Sequence, residues 1–279
     1  MSFGDFSRIN TNVQALGSLR ALQNTNNQLG IRQLRLATGS RLNRAEDDTA
    51  GYGIAKKLQA KVRGQAQALA NIGDAKNMLT VGEGSLNSIM DILQNMKEKT
   101  IQAANDTLGT NERTAIKSEL DALSAEITDI IGDSEFNGTA LFSSATTGTS
   151  FSFQVNAESG DTFTASIASI SAAGLGVSVA SLVVSSAANA STTLDQIDTA
   201  IQSVADKVAS VGDSQKRLTY KEQNLSVSMT NYEAARSRIA DADFAREQME
   251  IVKLQILQQT GTASLAQANA APQAVLSLF

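Results

Sequence analysis

The sequence predicts a mainly α protein: a long antiparallel coiled-coil helix bundle with paired N- and C-terminal helices and a small β-hairpin element. Apolar residues recur every seven positions at Ile197, Val204, Val211, Leu218, Leu225, Tyr232 and Ile239. A partner series lies in the N-terminal half at Leu79, Leu86 and Leu93. Sevenfold spacing is typical of helices that pack along a coiled-coil seam. We therefore expect the two series to meet in an intrachain seam.

Helix signals and breaks divide the rest of the chain. A break is predicted near residues 39–53, where two aspartates and three glycines interrupt the first amphipathic stretch. The apolar spacing then predicts helices over residues 54–104, 111–131 and 194–242. Only 4% of residues are aromatic and Pro272 is the single proline, which suits long helices better than a globular core.

Residues 136–193 differ in kind because Ser, Thr, Gly and Ala dominate them. Within this segment, residues 151–155 and 162–167 alternate apolar and polar side chains on either side of a turn that contains Gly160. This pattern predicts a β-hairpin. The remaining Ser/Thr-rich sequence is interpreted as a linker or plain loop, with an O-glycosylated exposed surface as the alternative.

Both ends of the chain are amphipathic, rich in Asn and Gln, and poor in charge. Such helices can pack on the body of the same molecule or wait for other subunits, and the scarcity of charge favours the second reading. The subunit-interface candidates are the apolar residues of these ends: Val13, Leu16, Leu22, Leu29, Leu36, Leu254, Leu257, Leu265, Leu276, Leu278 and Phe279.

Composition argues against an enzyme. The 279 residues contain no His and no Cys, which removes zinc sites, thiol nucleophiles and His-based acid/base catalysis. We find no phosphate-binding glycine loop, and we predict no catalytic, metal or cofactor site. No apolar run is long enough to cross a bilayer and no cleaved signal peptide is visible, so neither membrane insertion nor signal cleavage is expected.

The first 45 residues carry six arginines and one aspartate. A basic, acid-poor N-terminus can indicate binding to nucleic acid or an anionic membrane, or an organelle address. Because aromatic residues are not interleaved with these arginines, we favour contacts with protein surfaces and predict no nucleic-acid partner.

Several sequence blocks resemble bacterial flagellin, and their combination and order are far more specific than any one of them. They are INTNVQAL (9–16), LATGSRLNRAEDDTAGYGIAKKL (36–58), EFNGTALF (135–142), ARSRIADADFA (235–245), QILQQTGTASLAQAN (255–269) and PQAVLSL (272–278). The resemblance implies a structural protein that polymerises into the extracellular flagellar filament and serves motility. A hook-filament junction protein, or another filament-associated protein that shares the terminal helices, is the runner-up, and a sensor or tethering coiled coil is a third class.

The resemblance also implies a domain organisation and partners. Residues 1–45 with 240–279 would form an inner helical layer, residues 46–142 with 191–239 an outer helical domain, and residues 143–190 a short variable exposed region. The expected partners are copies of the chain itself, the flagellar export machinery, a flagellin chaperone and a filament cap.

One departure from the family concerns recognition by the vertebrate flagellin receptor. Where many flagellins present LQRVRELAVQ, this chain reads LQNMKEKTIQ at residues 93–102. Asn95 therefore replaces the recognition arginine and Lys99 a contacting leucine, whereas Glu119 matches the third recognition position. The resemblance implies weak receptor activation.

Overall fold

The computed structural model describes residues 11–142 and 148–276, with side chains up to residue 270. Five helices and two short antiparallel strand pairs make up these residues, which confirms the predicted mainly α bundle with a small hairpin element. In chain order the elements are α1 (Val13–Thr38), α2 (Thr49–Ala103), α3 (Thr110–Asp133), β1 (Glu135–Phe136), β2 (Thr139–Ala140), β3 (Thr149–Gln154), β4 (Thr162–Ile167), α4 (Ala187–Ala240) and α5 (Phe244–Leu276).

Two of these helices begin earlier than the sequence indicated. The predicted break reached residue 53, but α2 starts at Thr49 because the Asp48 carboxylate accepts a hydrogen bond from the Gly51 amide at 2.9 Å and caps the first turn. Gly51 and Gly53 therefore lie inside the helix. Similarly, α4 begins at Ala187 rather than at residue 194.

The chain forms two compact units, which are described separately: residues 61–230, and residues 1–60 with 231–279. In the 61–230 unit, α2 and α4 run antiparallel. Polar pairs connect them, and residue numbers rise on one helix as they fall on the other. Among these pairs are Gln65 to Ser228 at 3.0 Å, Lys76 to Glu222 at 2.9 Å, Glu83 to Gln215 at 2.8 Å and Lys97 to Asp198 at 2.6 Å.

The core of the 61–230 unit lies between these helices and α3. It contains the seam residues Leu79, Leu86, Leu93, Ile197, Val204, Val211, Leu218 and Leu225, together with Leu120 and Ile127 of α3. Burying a side chain of this size contributes about 1.5–3 kcal/mol. Since most of these side chains are fully buried, apolar burial within this unit strongly favours its folding.

The predicted β-hairpin is confirmed. Strands β3 and β4 pair antiparallel from Thr149 with Ile167 to Gln154 with Thr162. Gly160 adopts φ +91° in the connection, a backbone conformation that favours glycine. Phe163 points into the core and receives the Arg217 guanidinium 4.9 Å from its ring centroid, so the hairpin packs on the helices.

The segment after the hairpin, residues 168–186, corrects the interpretation of the remaining Ser/Thr-rich sequence as a linker or plain loop. Ile170, Val177 and Leu182 are at most 2% exposed and belong to the core. The Ser124 hydroxyl of α3 donates to the Val177 carbonyl at 2.7 Å. Composition suggested a linker because small polar residues dominate, but apolar residues spaced between them cover α3.

Candidate assembly surfaces

In the unit formed by residues 1–60 and 231–279, α1 and α5 pack antiparallel as a helix pair. Polar contacts join them along their length: the Asn12 amide donates to the Ala268 carbonyl at 2.7 Å, and the Gln258 amide donates to Asn26 at 2.8 Å. Near the other end, the Arg32 guanidinium donates to both carboxylate oxygens of Glu247, at 2.9 and 3.0 Å. The chain's two terminal helices are therefore partners within one molecule.

The seam of this pair keeps coiled-coil spacing, but small or polar residues fill many of its positions. The less exposed residues recur three or four apart on both helices: Asn12, Ala15, Ser18, Leu22, Thr25, Leu29, Arg32 and Leu36 on the α1 side, and Glu247, Ile251, Leu254, Gln258, Gly261, Leu265 and Ala268 on α5. No residue of α1 is buried. On α5, Ile251, Leu254 and Ala268 are buried, but none of these residues belongs to the large core cluster of the other unit.

The outward faces of the same two helices are unusually apolar. Ten large hydrophobic side chains are between 39% and 72% exposed there. We call this set the exposed helix-pair surface; its members are Val13, Leu16, Leu19, Ile31, Leu34, Phe244, Met249, Val252, Ile256 and Leu257. Because apolar area of this kind on a monomer marks interaction sites, this surface is the main candidate functional site.

The structure sorts the predicted subunit-interface residues. Val13, Leu16 and Leu257 lie on the exposed helix-pair surface. The others whose side chains are described occupy the intrachain seam, and their contact with other subunits stays a prediction: Leu22, Leu29, Leu36, Leu254 and Leu265. Leu22, for example, faces Gly261, where an added Cβ would lie 3.3 Å from its side chain. The side chain of Leu276, and the residues Leu278 and Phe279, lie outside the described residues.

A loop between α1 and α2, residues 39–48, is joined to the α4–α5 connection. The Arg41 amide donates to the Ala240 carbonyl at 2.6 Å, and the Ala242 amide donates to the Gly39 carbonyl at 2.9 Å. Gly39 ends α1 in a left-handed conformation with φ +66°. Two of the sequence blocks that carry the resemblance, 36–58 and 235–245, therefore pair with each other in space.

Asp47 organises this loop. One carboxylate oxygen accepts hydrogen bonds from the Arg44 and Asn43 amides, each at 3.0 Å, and the other lies 3.4 Å from the Arg35 guanidinium. The Arg44 and Asn43 amides and the Arg35 charge lower the pKa of Asp47 below its ordinary value. The ionised carboxylate thus ties the loop to α1, a role that sequence reasoning missed because it interpreted Asp47 only as part of a helix break.

Glu247 is a buried acid on α5 that no sequence pattern singles out. Its side chain is 5% exposed and lies between Arg32 and Arg35, at 2.9 and 3.9 Å. Arg35 also approaches Asp47 at 3.4 Å. Since buried charges need partners, these four residues form one ionic network that links α1, α5 and the 39–48 loop.

Two residues of the predicted intrachain seam, Tyr232 and Ile239, fall in this unit and are half-buried. The three positions predicted to bear on receptor recognition lie in the 61–230 unit. Asn95 is exposed, and the Lys99 ammonium lies 2.7 Å from the Glu119 carboxylate. The two charged positions therefore neutralise each other.

The described part of the chain offers no candidate for two other kinds of site. Within residues 11–142 and 148–276, no three acidic residues come together in a way that could hold a metal ion. No helix there combines the length and hydropathy needed to cross a membrane.

Comparisons with known proteins place the whole chain in one family. Residues 9–147 match the bacterial flagellin N-terminal helical region, and residues 194–279 match the bacterial flagellin C-terminal helical region. The chain is 34% identical to flagellin FlaB1 of Treponema pallidum, with 97% of this chain and 99% of that protein aligned. It is 35% identical to a flagellin of Bacillus subtilis, with 98% and 99% aligned.

A solved structure described as a flagellar hook-associated protein of Vibrio parahaemolyticus gives a TM-score of 0.60, covers 70% of this chain and 100% of that chain, and is 16% identical. At that identity the likeness shows the fold alone, and it does not favour the hook-junction alternative over the filament subunit. The full-length relatives and both matched helical regions lead to one conclusion: the chain belongs to the bacterial flagellin family and is a structural subunit of the extracellular flagellar filament.

Proposed function

We propose that this filament subunit polymerises through the exposed helix-pair surface of α1 and α5. The observation that supports this proposal is the apolar character of the outward faces of the pair: large apolar side chains face outward, while small and polar residues occupy many of the seam positions between the leucines. Covering one Leu, Val or Ile side chain contributes about 1.5–3 kcal/mol. Neighbouring copies can therefore supply the burial that the pair lacks.

The proposed assignment of chain segments to layers of the filament follows the flagellin family. Residues 1–45 with 240–279 form the inner helical layer, residues 46–142 with 191–239 form the outer layer, and residues 143–190 form the short variable region, whose apolar residues such as Ile170 and Val177 pack on the core. We propose no catalytic role for any of these parts. The absence of His and Cys from the chain supports that view.

The proposed partners before and during assembly are the export machinery, a chaperone on the C-terminal helix and a filament cap, with export that involves no signal cleavage. The chaperone proposal has a physical reason. α5 exposes Phe244, Met249 and Ile256 by 68%, 66% and 55%, and apolar surface of this kind aggregates unless it is covered.

The assembly proposal is tested by placing a charge on the surface without touching the core. Leu16→Asp changes a side chain that is 48% exposed, so the monomer should keep its melting temperature. We expect the critical concentration for filament growth to rise at least about tenfold, since a loss of about 1.4 kcal/mol per contact has that effect. Sedimentation and electron microscopy measure both filament mass and length.

Val179→Asp is the matched control, because Val179 is 50% exposed but lies in the other unit. It should assemble close to normally. Equal loss of assembly in both variants, or normal filaments from Leu16→Asp, would contradict a role for the exposed helix-pair surface.

We further propose that the chain activates the vertebrate flagellin receptor weakly. An Asn amide cannot replace the planar, multi-donor contacts of a guanidinium, and Lys99 holds Glu119 in an ion pair of 2.7 Å. The double variant Asn95→Arg with Lys99→Leu should activate the receptor more strongly in a reporter assay. Lys97→Leu removes a similarly exposed lysine and one ion pair and should change nothing; no gain in the double variant would refute the proposal.

A further inference from the structure

Met249 on α5 is the most exposed methionine in the described part of the chain, which contains five of the six methionines. Met78 and Met96 are buried, at 2% and 0% exposed. Met90 and Met229 are half-buried. Met249, by contrast, is 66% exposed. A reagent in solution therefore reaches the thioether sulfur of Met249 more readily than that of the other four.

Met249 is also the one member of the exposed helix-pair surface whose side chain contains a heteroatom. The nine other members are Val, Leu, Ile and Phe, whose side chains are hydrocarbons. The chain has no Cys and no Trp, so the methionine thioethers are the side chains that a mild peroxide oxidises. Oxidation of the exposed helix-pair surface therefore concentrates on a single side chain.

The neighbours of Met249 on α5 make its surroundings apolar. Met249, Val252 and Ile256 are spaced three and four apart, so they project from one side of the helix. Val252 and Ile256 are 46% and 55% exposed. Ile251 and Leu254 are 5% and 4% exposed and lie in the seam with α1 instead. The Met249 sulfur thus lies in an apolar strip that faces solvent.

Hydrogen peroxide converts such a thioether into a sulfoxide in one two-electron step. The sulfur lone pair attacks one peroxide oxygen, and the S–O bond forms as the O–O bond breaks. The proton of the attacked oxygen passes to the departing oxygen, which leaves as water, so sulfur is oxidised and the peroxide is reduced. A flexible apolar side chain becomes a polar one whose oxygen accepts hydrogen bonds.

We propose that Met249 is a redox-sensitive modification site whose oxidation to the sulfoxide keeps an unassembled subunit out of the filament. This inference rests on the proposed assembly through the exposed helix-pair surface and adds a means of regulating it. Apolar side chains of a neighbouring copy would remove water from the sulfoxide oxygen without supplying a donor, and burial of an unpaired polar group is unfavourable. In the monomer the sulfoxide stays in water, so the fold is unaffected.

The test sorts oxidised from unoxidised copies of the full chain. Wild-type monomer is treated with hydrogen peroxide until part of its Met249 is oxidised, then assembled and sedimented. Mass spectrometry measures the sulfoxide at each methionine in the pellet and in the supernatant. We expect the ratio of oxidised to unoxidised Met249 to be at least about tenfold higher in the supernatant, because a weaker contact at each addition step leaves the subunit free. An equal ratio in the two fractions would overturn the proposal.

Met249→Leu is the matched control, because leucine is apolar and of similar size but forms no sulfoxide. This variant retains the other five methionines, and after the same peroxide treatment it should keep its untreated critical concentration. A methionine sulfoxide reductase with a thiol reductant should restore assembly of the oxidised wild type. Equal loss of assembly in the peroxide-treated variant and wild type would contradict the role of Met249. The sorting measurement needs no substitution, so it decides even if Met249→Leu does not assemble.

Failure of the broader assembly proposal would look different, because it would appear as normal filaments from Leu16→Asp. Loss of assembly in Leu16→Asp together with equal sorting of oxidised and unoxidised copies would overturn the Met249 site alone. The exposure on which the site depends has its own readout. In the monomer, Met249 should be oxidised at least about tenfold faster than the buried Met78 and Met96, and equal rates would overturn the proposal.

Discussion

Antiparallel helices pack against each other in both units of this chain, but the residues at the helix contacts differ. In the 61–230 unit, antiparallel helices meet through large side chains such as Leu86, Leu93 and Leu218, each 0% exposed. In the other unit, α1 has no buried residue at all, and its seam combines leucines with small residues, hydrogen bonds and an ionic network. Helical spacing is the same in both units, but only the first encloses an apolar core.

This difference has an energetic consequence. Ordering the backbone costs about 1–2 kcal/mol per residue, and apolar burial is the main term that offsets it. The 61–230 unit has its own buried apolar cluster to offset that cost. The α1–α5 pair lacks comparable burial while its outward faces stay apolar, so we expect it to be marginal in the monomer and stable in the filament.

The largest expected contrast is in hydrogen exchange. In the monomer, the amides of residues 13–35 should exchange through local opening of the helix. The amides of α2 and α4 near residues 86 and 211 should exchange only after global unfolding, which has a free energy of about 5–15 kcal/mol. Assembly should protect both sets. Hydrogen exchange followed by mass spectrometry on monomer and polymer measures this protection. Strong protection of residues 13–35 in the monomer would contradict the proposed difference in stability between the two units.

The next effect is on the core of the 61–230 unit. Leu218→Asp puts an unpaired charge at a fully buried position and should lower the free energy of unfolding by about 3–5 kcal/mol. Tyr220→Asp is the control, since Tyr220 lies on the same helix and is 69% exposed. Thermal denaturation compares the two, and equal melting temperatures would argue against an intrachain seam as the main source of stability.

Removing the chain end should separate assembly from folding. A chain that stops at Ala271 loses the apolar residues Leu276, Leu278 and Phe279, and we predict that α2 and α4 keep their helicity and that the melting temperature is unchanged. Loss of about 1.4 kcal/mol per contact would weaken each addition step roughly tenfold, so long filaments should fail to form. Sedimentation decides this, because wild-type critical concentration in the truncated chain would exclude the C-terminal end from assembly.

The smallest expected effect concerns the 39–48 loop. Because the folded pKa of Asp47 is lowered, its contribution to stability is fully present above its ordinary pKa of about 3.9 and is lost as the pH falls through the folded value. Asp47→Asn should lower the free energy of unfolding by about 1 kcal/mol at neutral pH. It should also weaken the pH dependence of that free energy in the acid range. Asp48→Asn keeps a capping side chain and serves as the control in the same pH titration.

Much of this fold could be predicted from the sequence because its signals are local. Sevenfold spacing marks a helix seam wherever large apolar residues carry it, as at Val204 and Leu218, and alternation around Gly160 marks a hairpin. The absence of His and Cys narrows the classes of chemistry that the chain can perform. The ordered blocks at the two ends also identified the family.

Other features depended on which distant residues meet, and only the tertiary structure decided them. The α1–α5 seam uses Asn12, Thr25 and Arg32 at positions where apolar periodicity cannot detect them, and Glu247 is buried only because Arg32 of α1 reaches it. The same packing decides which leucines face inward. A side chain's spacing along a helix shows that it lies on a face, but the helix opposite determines whether that face is covered.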